Sequence, residues 1–138
     1  MITLLPSNKI YISESIIRGA GRGVFASKEI KNNEIIEICP VIEIKETEIQ
    51  LLRRTELKNY YFLWRDNLNQ VVIALGFGSI YNHSYNPNAT YIKNFKDKVI
   101  EFKAIKKIKK DSEITVNYNF GNPSDKSTLW IKSIKPYK

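Results

Sequence analysis

Short runs of β-branched residues separated by turn residues constrain the fold of this chain more than any other feature of its sequence. The segment Ile35–Ile44 is a β-branched run interrupted only by Pro40, and residues 9–13 alternate with a period of two. Such runs are typical of β-strands, and a proline within one indicates an edge or a bend. The pattern predicts a mainly β protein with Pro40 at a sheet edge or a bend.

Other local signals support this class. Further strand-like runs cover residues 24–26, 71–75, 89–92, 99–105 and 114–118. Only residues 47–50, Thr-Glu-Ile-Gln, predict a helix, because they match the capping box that binds the first free amides of a helix. Asn33 and Asp111 each precede a strand-like run and tolerate a positive φ, so both predict tight turns.

The chain has 138 residues and a formal net charge of +8, with 22 Lys and Arg against 14 Asp and Glu. This length suits one domain. No run approaches the ~20 apolar residues of a membrane helix, and the first residues do not match a secretory leader, so we expect a cytoplasmic protein with no membrane contact.

One cysteine, Cys39, and one histidine, His83, cannot complete a zinc site, so we expect no metal. They could form a nucleophilic pair, but Cys39 lies in an apolar run, where an inert buried thiol is the simpler interpretation.

Lysine supplies most of the positive charge, and Lys106, Lys107, Lys109 and Lys110 form a local cluster. A solvated basic face is the simplest interpretation, because net charge bears on solubility and steering rather than on a site. A basic β-domain that binds nucleic acid is an alternative. No zinc finger, RNP strand motif or helix-turn-helix pattern accompanies the cluster, so we predict no direct nucleic-acid motif.

Three separated segments carry the residues best suited to chemistry. Gly-Arg-Gly at 21–23 allows a ligand to approach the backbone closely. Asn-His-Ser at 82–84 offers polar side chains beside backbone groups, which suits a polar small molecule. Tyr118 ends a strand-like run. Taken singly, each is better explained as a turn, a structural histidine or a core tyrosine.

Aromatic residues form a fourth group. Tyr60 and Tyr61 lie in a dense aromatic segment in the middle of the chain, and Trp130 lies near its end. An aromatic stripe usually belongs to the core. Together these rings could also line a narrow channel that holds a cationic amine by attraction to the ring faces.

The order and spacing of these motifs are more specific than any one of them. Gly-x-Gly is followed after about sixty residues by Asn-His-Ser-x-x-Pro-Asn, and after about thirty more by Glu-Ile-Thr-x-x-Tyr. This set resembles the signature of SET-domain protein lysine methyltransferases. The resemblance runs from about residue 9 to Tyr118 and weakly into the tail. It is strongest to the minimal SET proteins of viruses and prokaryotes, which share Ala-Leu-Gly-Phe-Gly before the Asn-His-Ser.

The resemblance implies a cofactor, S-adenosylmethionine, and residues that bind it. Backbone groups of Gly21, Arg22 and Gly23 would meet its methionine end. Asn82 would hold the amino-acid group through its amide. His83 would contribute mainly backbone contacts to the adenine, so the protonation of its ring should matter less than its position.

The resemblance also implies catalytic and channel residues. Tyr118 matches the catalytic tyrosine of the family, and we expect it to orient and stabilise rather than to act as a base, since a phenol with a pKa of ~10 is protonated at neutral pH. Tyr60 is the expected channel wall, with Tyr61 and Tyr81 as further candidates. Trp130 would close the channel in place of the cysteine-rich zinc segment that many relatives carry.

The fold implied is a SET domain (β-clip) of short twisted sheets, with one or two short helices and a knot-like threading of the C-terminal strand. We expect a single domain over residues 1–138, with a core of about 9–120 and a short closing tail at 121–138. The expected function is S-adenosylmethionine-dependent methylation of a lysine side chain in a protein substrate. The alternative is a catalytically silent SET fold that serves as a cofactor-binding or protein-interaction module.

The expected partner is therefore a protein that presents a lysine, with a chromatin or nucleic-acid-associated protein as one option. The charge of +8 would then steer the chain toward an acidic protein or a protein bound to nucleic acid. The resemblance to viral proteins leaves a homodimer open.

Overall fold

The computed structural model describes residues 2–65 and 67–129, and these confirm a mainly β chain. Within them lie nine strands, one short helix α1 (Ile49–Leu52) and two 3₁₀ helices, Glu46–Glu48 and Glu56–Asn59. The strands are β1 (Ile10–Glu14), β2 (Arg22–Ala26), β3 (Ile35–Ile44), β4 (Tyr61–Trp64), β5 (Asn67–Ala74), β6 (Asn82–His83), β7 (Ala89–Asn94), β8 (Val99–Ala104) and β9 (Glu113–Val116). No helix in the described ranges is long and apolar enough to cross a membrane.

The strands form two sheets, with orders β1-β2-β9-β6 and β4-β5-β3-β8-β7. Neighbouring strands are antiparallel except β6 and β9, which run parallel. The last strand of the described residues, β9, lies between β2 and β6, so this part of the chain returns into the middle of the first sheet. The knot-like threading of this segment stays a prediction.

Pro40 does not lie at a sheet edge, and that part of the prediction is wrong. It belongs to β3, the central strand of the five-stranded sheet. Residues 35–40 of β3 pair with β8 and residues 41–44 pair with β5, so Pro40 lies where the strand changes partners. Its carbonyl accepts a hydrogen bond from Leu75 N–H at 2.9 Å. A missing backbone N–H is tolerated at such a junction because the ladder is already interrupted there.

The two predicted left-handed turns are confirmed. Asn33 has φ 67° and Asp111 has φ 63°. Ile30 and Ile108 exchange backbone hydrogen bonds of 2.9 and 2.8 Å, which join the two turns side by side. Both isoleucines are buried, so the turns are anchored in the core while their lysines stay exposed.

The predicted capping box at residues 47–50 does not form. Thr47 lies within a 3₁₀ turn, and the cap residue of α1, Glu48, makes no side-chain cap hydrogen bond. Ile49 and Leu52 are instead buried against Val71 of β5. Tertiary packing, rather than a cap, therefore stabilises this short helix, as is usual for helices of a few residues.

The main core joins both sheets. Val24 and Ile114 from the first sheet and Ile100 and Phe102 from the second are fully buried in one cluster. Each large apolar side chain so buried contributes roughly 1.5–3 kcal/mol. Cys39 is also fully buried, and burial together with nearby Glu37 raises the pKa of its thiol, so it is an unreactive core residue.

Candidate active site

The parallel pairing of β6 with β9 brings two distant motifs together. Asn82 pairs with Thr115 and His83 pairs with Val116. Tyr118 follows β9 by two residues, so it lies beside His83 although 35 residues separate them in the chain. The sheet order therefore assembles the Asn-His-Ser and Glu-Ile-Thr-x-x-Tyr motifs into one site.

The asparagine that ends Asn-His-Ser-x-x-Pro-Asn strengthens this assembly. Asn88 Nδ2 donates to the Glu113 carbonyl at 2.8 Å, and Asn88 Oδ1 accepts from Thr115 N–H at 2.9 Å. An asparagine side chain has the donor and acceptor of a peptide group, so here it replaces a neighbouring strand. This explains why the motif extends to residue 88.

Asn82 turns its amide nitrogen inward toward a buried carboxylate. Its Nδ2 lies 2.8 Å from Glu113 Oε1, 2.9 Å from the Arg22 carbonyl and 3.2 Å from Ser15 Oγ. Ser15 Oγ lies 2.8 and 3.0 Å from the two Glu113 oxygens, and Ile16 N–H donates to Oε2 at 3.0 Å. Asn82 and Glu113 are 7% and 6% exposed. Buried groups of this kind need such partners, so the cluster is a rigid support for the loop at 21–23.

This cluster also explains the glycine at position 23. A Cβ there would lie 2.3 Å from Glu113 Oε1 and 3.2 Å from Asn82 Nδ2, so any other residue would force the Glu113 carboxylate to shift. Gly21 has φ +74°, and no atom lies within 4 Å of the place where its Cβ would stand. Its carbonyl accepts from Ser15 N–H at 2.8 Å. The loop is thus closed on the Asn82 side and open at Gly21.

His83 uses its ring as well as its backbone. Its Nδ1 accepts a hydrogen bond from Tyr118 N–H at 3.1 Å, so at neutral pH the ring proton is on Nε2. Nε2 is buried and has no hydrogen-bond partner among the described residues. Burial lowers the pKa of the imidazole. The ring contact to the backbone of Tyr118 is a feature that the sequence did not indicate.

Tyr118 connects the paired strands to a pocket. Its hydroxyl donates to the main-chain carbonyl of Tyr81 at 2.7 Å. Burial raises the pKa of this phenol well above its usual value, with smaller contributions from Tyr60 and Glu113. At neutral pH Tyr118 is therefore a hydrogen-bond donor and a poor base.

The pocket beside Tyr118 has a volume of about 80 Å³ and a largely aromatic wall. Lys93 is the charged residue among its described lining. The lining residues are Asn59, Tyr60, Tyr61, Phe62, Leu63, Gly78, Ser79, Tyr81, Tyr91, Lys93, Tyr118, Asn119 and Phe120. Ring faces of this kind attract a cationic or partly cationic amine.

The structure places three of the predicted channel tyrosines in this lining. Tyr60 and Tyr61 come from the segment that enters β4, and the Tyr60 carbonyl is 3.0 Å from Ser79 Oγ. Tyr81 lines the pocket too, but its ring is 2% exposed and stacks on Phe102 with centroids 4.2 Å apart. Trp130 lies outside the described residues.

The described part of the tail packs on the Asn-His-Ser loop. Asn117 Nδ2 donates to the Asp125 carbonyl at 2.6 Å. The Tyr85 hydroxyl and Asn119 Nδ2 donate to the Ser127 carbonyl at 3.0 and 2.8 Å. Residues 125–127 therefore cover the loop after β6, on the side of Tyr85.

Two carboxylates belong to the site although no sequence motif assigned them a role there. Glu113 is the first residue of the Glu-Ile-Thr-x-x-Tyr motif, which does not indicate its burial against Asn82. Glu37 lies in the apolar run of β3, and its carboxylate accepts from the Tyr81 hydroxyl at 3.0 Å. An isolated acid within an apolar run was the available signal, because such a residue either faces solvent or meets a buried donor.

In this mainly β domain, the Asn-His-Ser segment pairs with the strand that precedes the partly buried Tyr118. The glycine loop contacts Asn82 of that pairing, and Tyr118 lines the aromatic pocket. The chain belongs to the SET domain family, whose profile matches residues 21–119. The histone-lysine N-methyltransferase, H3 lysine-37 specific, of Schizosaccharomyces pombe is 33% identical over 99 residues, which are 71% of this chain and 66% of that protein.

Solved structures agree with this fold. A crystal structure of a proposed histone methyltransferase from Plasmodium falciparum matches with a TM-score of 0.64 and 37% identity, over 80% of this chain and 93% of that chain. Polycomb repressive complex 2 from Chaetomium thermophilum, bound to S-adenosylmethionine, matches with a TM-score of 0.68 over 85% of this chain and 16% of that one. At 21% identity the second likeness shows the fold alone. The chain thus spans a small part of that complex's subunit and 66% of the yeast relative.

Proposed function

We propose that this chain transfers a methyl group from S-adenosylmethionine to the side-chain amine of a lysine in a protein substrate. The observation that carries the proposal is the position of Tyr118. Its backbone N–H bonds to His83, next to Asn82, while its side chain lines the aromatic pocket. One residue therefore joins the two regions that a methyl donor and an acceptor amine would occupy.

The residues around loop 21–23 fit the cofactor. The amide hydrogens of Asn82 point inward, which leaves Oδ1 as an acceptor for the ammonium of a methionine group. The open space at Gly21 permits a close approach to the backbone. A buried donor without a partner, as at His83 Nε2, is costly, and an acceptor on a bound ligand would satisfy it.

When bound, S-adenosylmethionine supplies a methyl group activated by its sulfonium. Tyr60, Tyr61 and Tyr118 exclude water from the pocket and present their rings to the lysine side chain. The Tyr118 hydroxyl oxygen and the Tyr81 carbonyl are 2.7 Å apart and belong to two lining residues, so they would offer partial negative charge where positive charge moves. A neutral lysine amine held by the tyrosine rings would accept this methyl group, and the proton of the resulting ammonium would leave to solvent.

A chromatin protein is the proposed substrate class. The yeast relative is named for a lysine of histone H3, and the Plasmodium structure is described as a histone methyltransferase of proposed activity. The exposed lysines of the joined turns, Lys28, Lys31 and the cluster at 106–110, add a basic surface that would steer the chain toward acidic or nucleic-acid-bound proteins.

The test is methyl transfer from labelled S-adenosylmethionine to a mixture of core histones. We expect labelling by the wild type and loss of labelling in Tyr118→Phe and in Asn82→Ala. Tyr11→Phe is the matched control, because Tyr11 lies on β1 at the edge of the first sheet, bonds to Asp111 and does not line the pocket. Calorimetric binding of the cofactor without labelling of any protein would favour the silent module. Absence of binding would reject both.

A further inference from the structure

Glu37 holds both ends of the turn that forms one wall of the pocket. This turn, residues 75–81, connects β5 to β6 and contributes Gly78, Ser79 and Tyr81 to the lining. Glu37 Oε1 accepts from Phe77 N–H at 2.9 Å, and Oε2 accepts from the Tyr81 hydroxyl at 3.0 Å. One carboxylate on the central strand therefore ties the start of the turn to its end.

The packing around this carboxylate leaves little freedom. A Cβ on Gly76 would lie 2.5 Å from Glu37 Oε1, so the turn runs directly over the carboxylate. The ring of Tyr81 stacks on Phe102 at an interplanar angle of 14°. Because its face is held by Phe102 and its hydroxyl by Glu37, Tyr81 has one orientation in the core.

The backbone of the same residue holds Tyr118. The Tyr81 carbonyl accepts the Tyr118 hydroxyl at 2.7 Å, so a rotation or shift of Tyr81 moves the acceptor that orients this hydroxyl. We propose that Glu37 is a positioning residue, which sets the orientation of the Tyr118 hydroxyl through Tyr81. Its effect on catalysis rests on the proposed function, whereas the link between Glu37 and Tyr118 does not.

Three variants separate the contacts. Tyr81→Phe keeps the ring and deletes one hydrogen bond, and Glu37→Ala deletes both. Glu37→Gln keeps an oxygen for Phe77 N–H and a polar partner for Tyr81, so it should largely restore the wild-type behaviour. Glu43→Gln is the matched control, because Glu43 lies on the same strand but is exposed and paired with Lys98.

The first readout needs no activity. In protein with ¹³C-labelled tyrosine, the ring Cζ resonance of Tyr118 reports the hydrogen bond of its hydroxyl. We expect this resonance to move in Tyr81→Phe and Glu37→Ala and to stay in place in Glu43→Gln. The variant that combines Tyr81→Phe with Glu37→Ala should shift the Tyr118 resonance about as far as the stronger single variant, since both changes break the same connection.

The second readout is the rate of methyl transfer. We expect kcat to fall roughly 10-fold or more in Tyr81→Phe and Glu37→Ala, with KM for the substrate within about threefold of wild type, because misplacement of a reacting group lowers the rate of the chemical step. Glu43→Gln should keep the wild-type kcat, and Glu37→Gln should recover most of it.

If the Tyr118 resonance of folded Tyr81→Phe matches that of the wild type, the proposal is overturned. A fall in kcat in that variant without a change of the resonance would overturn it as well. If Glu37→Ala fails to fold, Tyr81→Phe decides alone, since it retains the packing of the ring. If the resonance moves but the wild type methylates no protein and binds no cofactor, the proposed function fails and the positioning link stands.

Discussion

Asn82 and Glu113 form a buried hydrogen bond of 2.8 Å between β6 and β9, across a separation of 31 residues. The bond fixes the direction in which the Asn82 amide points, because its two hydrogens are used by Glu113 and the Arg22 carbonyl. The Glu113 carboxylate and the Asn82 amide also occupy the space beside Gly23. One pair of side chains thus determines both the acceptor that Asn82 can offer and the shape of the glycine loop.

We expect Glu113→Gln to destabilise the protein by about 1–3 kcal/mol, because the amide nitrogen that replaces one oxygen would face the donor of Asn82 at Oε1 or of Ile16 at Oε2. Urea unfolding measures the loss. Glu14→Gln, an exposed change on β1 of the same sheet, is the control. A free energy of unfolding equal to that of the control would contradict the role of the carboxylate.

We expect Gly23→Ala to destabilise by about 1–3 kcal/mol through crowding, because the added carbon would lie 2.3 Å from Glu113 Oε1. Gly21→Ala is a contrasting control, with no crowding but a positive φ that costs roughly 1–2 kcal/mol. Glu113→Ala should reduce the cost of Gly23→Ala and leave that of Gly21→Ala unchanged. Thermal or urea unfolding of the double variants checks this, and equal coupling at both glycines would refute the steric explanation.

Stability should fall below neutral pH through His83. Burial lowers the pKa of its imidazole in the folded state, so the unfolded chain binds the proton more readily. The stabilisation is complete above about pH 6.5, the unfolded value, and is lost as the pH falls through the lower folded value. Protonation also removes the acceptor at Nδ1 for Tyr118 N–H.

The measurement is the free energy of unfolding from pH 5 to 7.5 in wild type and in His83→Gln. The glutamine keeps an acceptor but does not titrate, and the chain has one histidine, so the difference between the two curves isolates this group. Parallel curves would show that His83 makes no contribution.

Tyr118 should not titrate near pH 10. Burial raises the pKa of its phenol well above the usual value, so the neutral form persists past the pH at which an exposed tyrosine ionises. Difference absorbance of the phenolate, wild type minus Tyr118→Phe, should show no ionisation of this residue at about pH 10, where an exposed tyrosine is half ionised. A phenolate signal from Tyr118 at pH 9 would make it a candidate base and would change the proposed chemistry.

Local patterns predicted the elements whose cause is local. The β-branched run at Ile35–Ile44 is a strand with those bounds, and Asn33 and Asp111 adopt the positive φ that their side chains tolerate. Steric preference and turn chemistry act within a few residues, so the sequence shows them directly. The order of the three motifs was also sufficient to indicate the SET family, which residues 21–119 match.

Predictions failed where packing between distant segments competed with a local rule. Pro40 was expected at a sheet edge or a bend, and it lies in the central strand where β3 exchanges β8 for β5. That exchange of partners depends on the register of three strands, which no local pattern shows. At residues 47–50 no capping box forms, and the helix is stabilised instead by the burial of Ile49 and Leu52 against Val71.

Local patterns in the chain specify the β class, the two left-handed turns and the set of motif residues. Long-range packing sets the contacts of those residues: Asn82 with Glu113, His83 with the backbone of Tyr118, and Tyr118 with the carbonyl of Tyr81. The cause is the order of the strands. These contacts span 31 to 37 residues and exist because β9 lies between β2 and β6, and no periodicity or turn within a short segment encodes that arrangement.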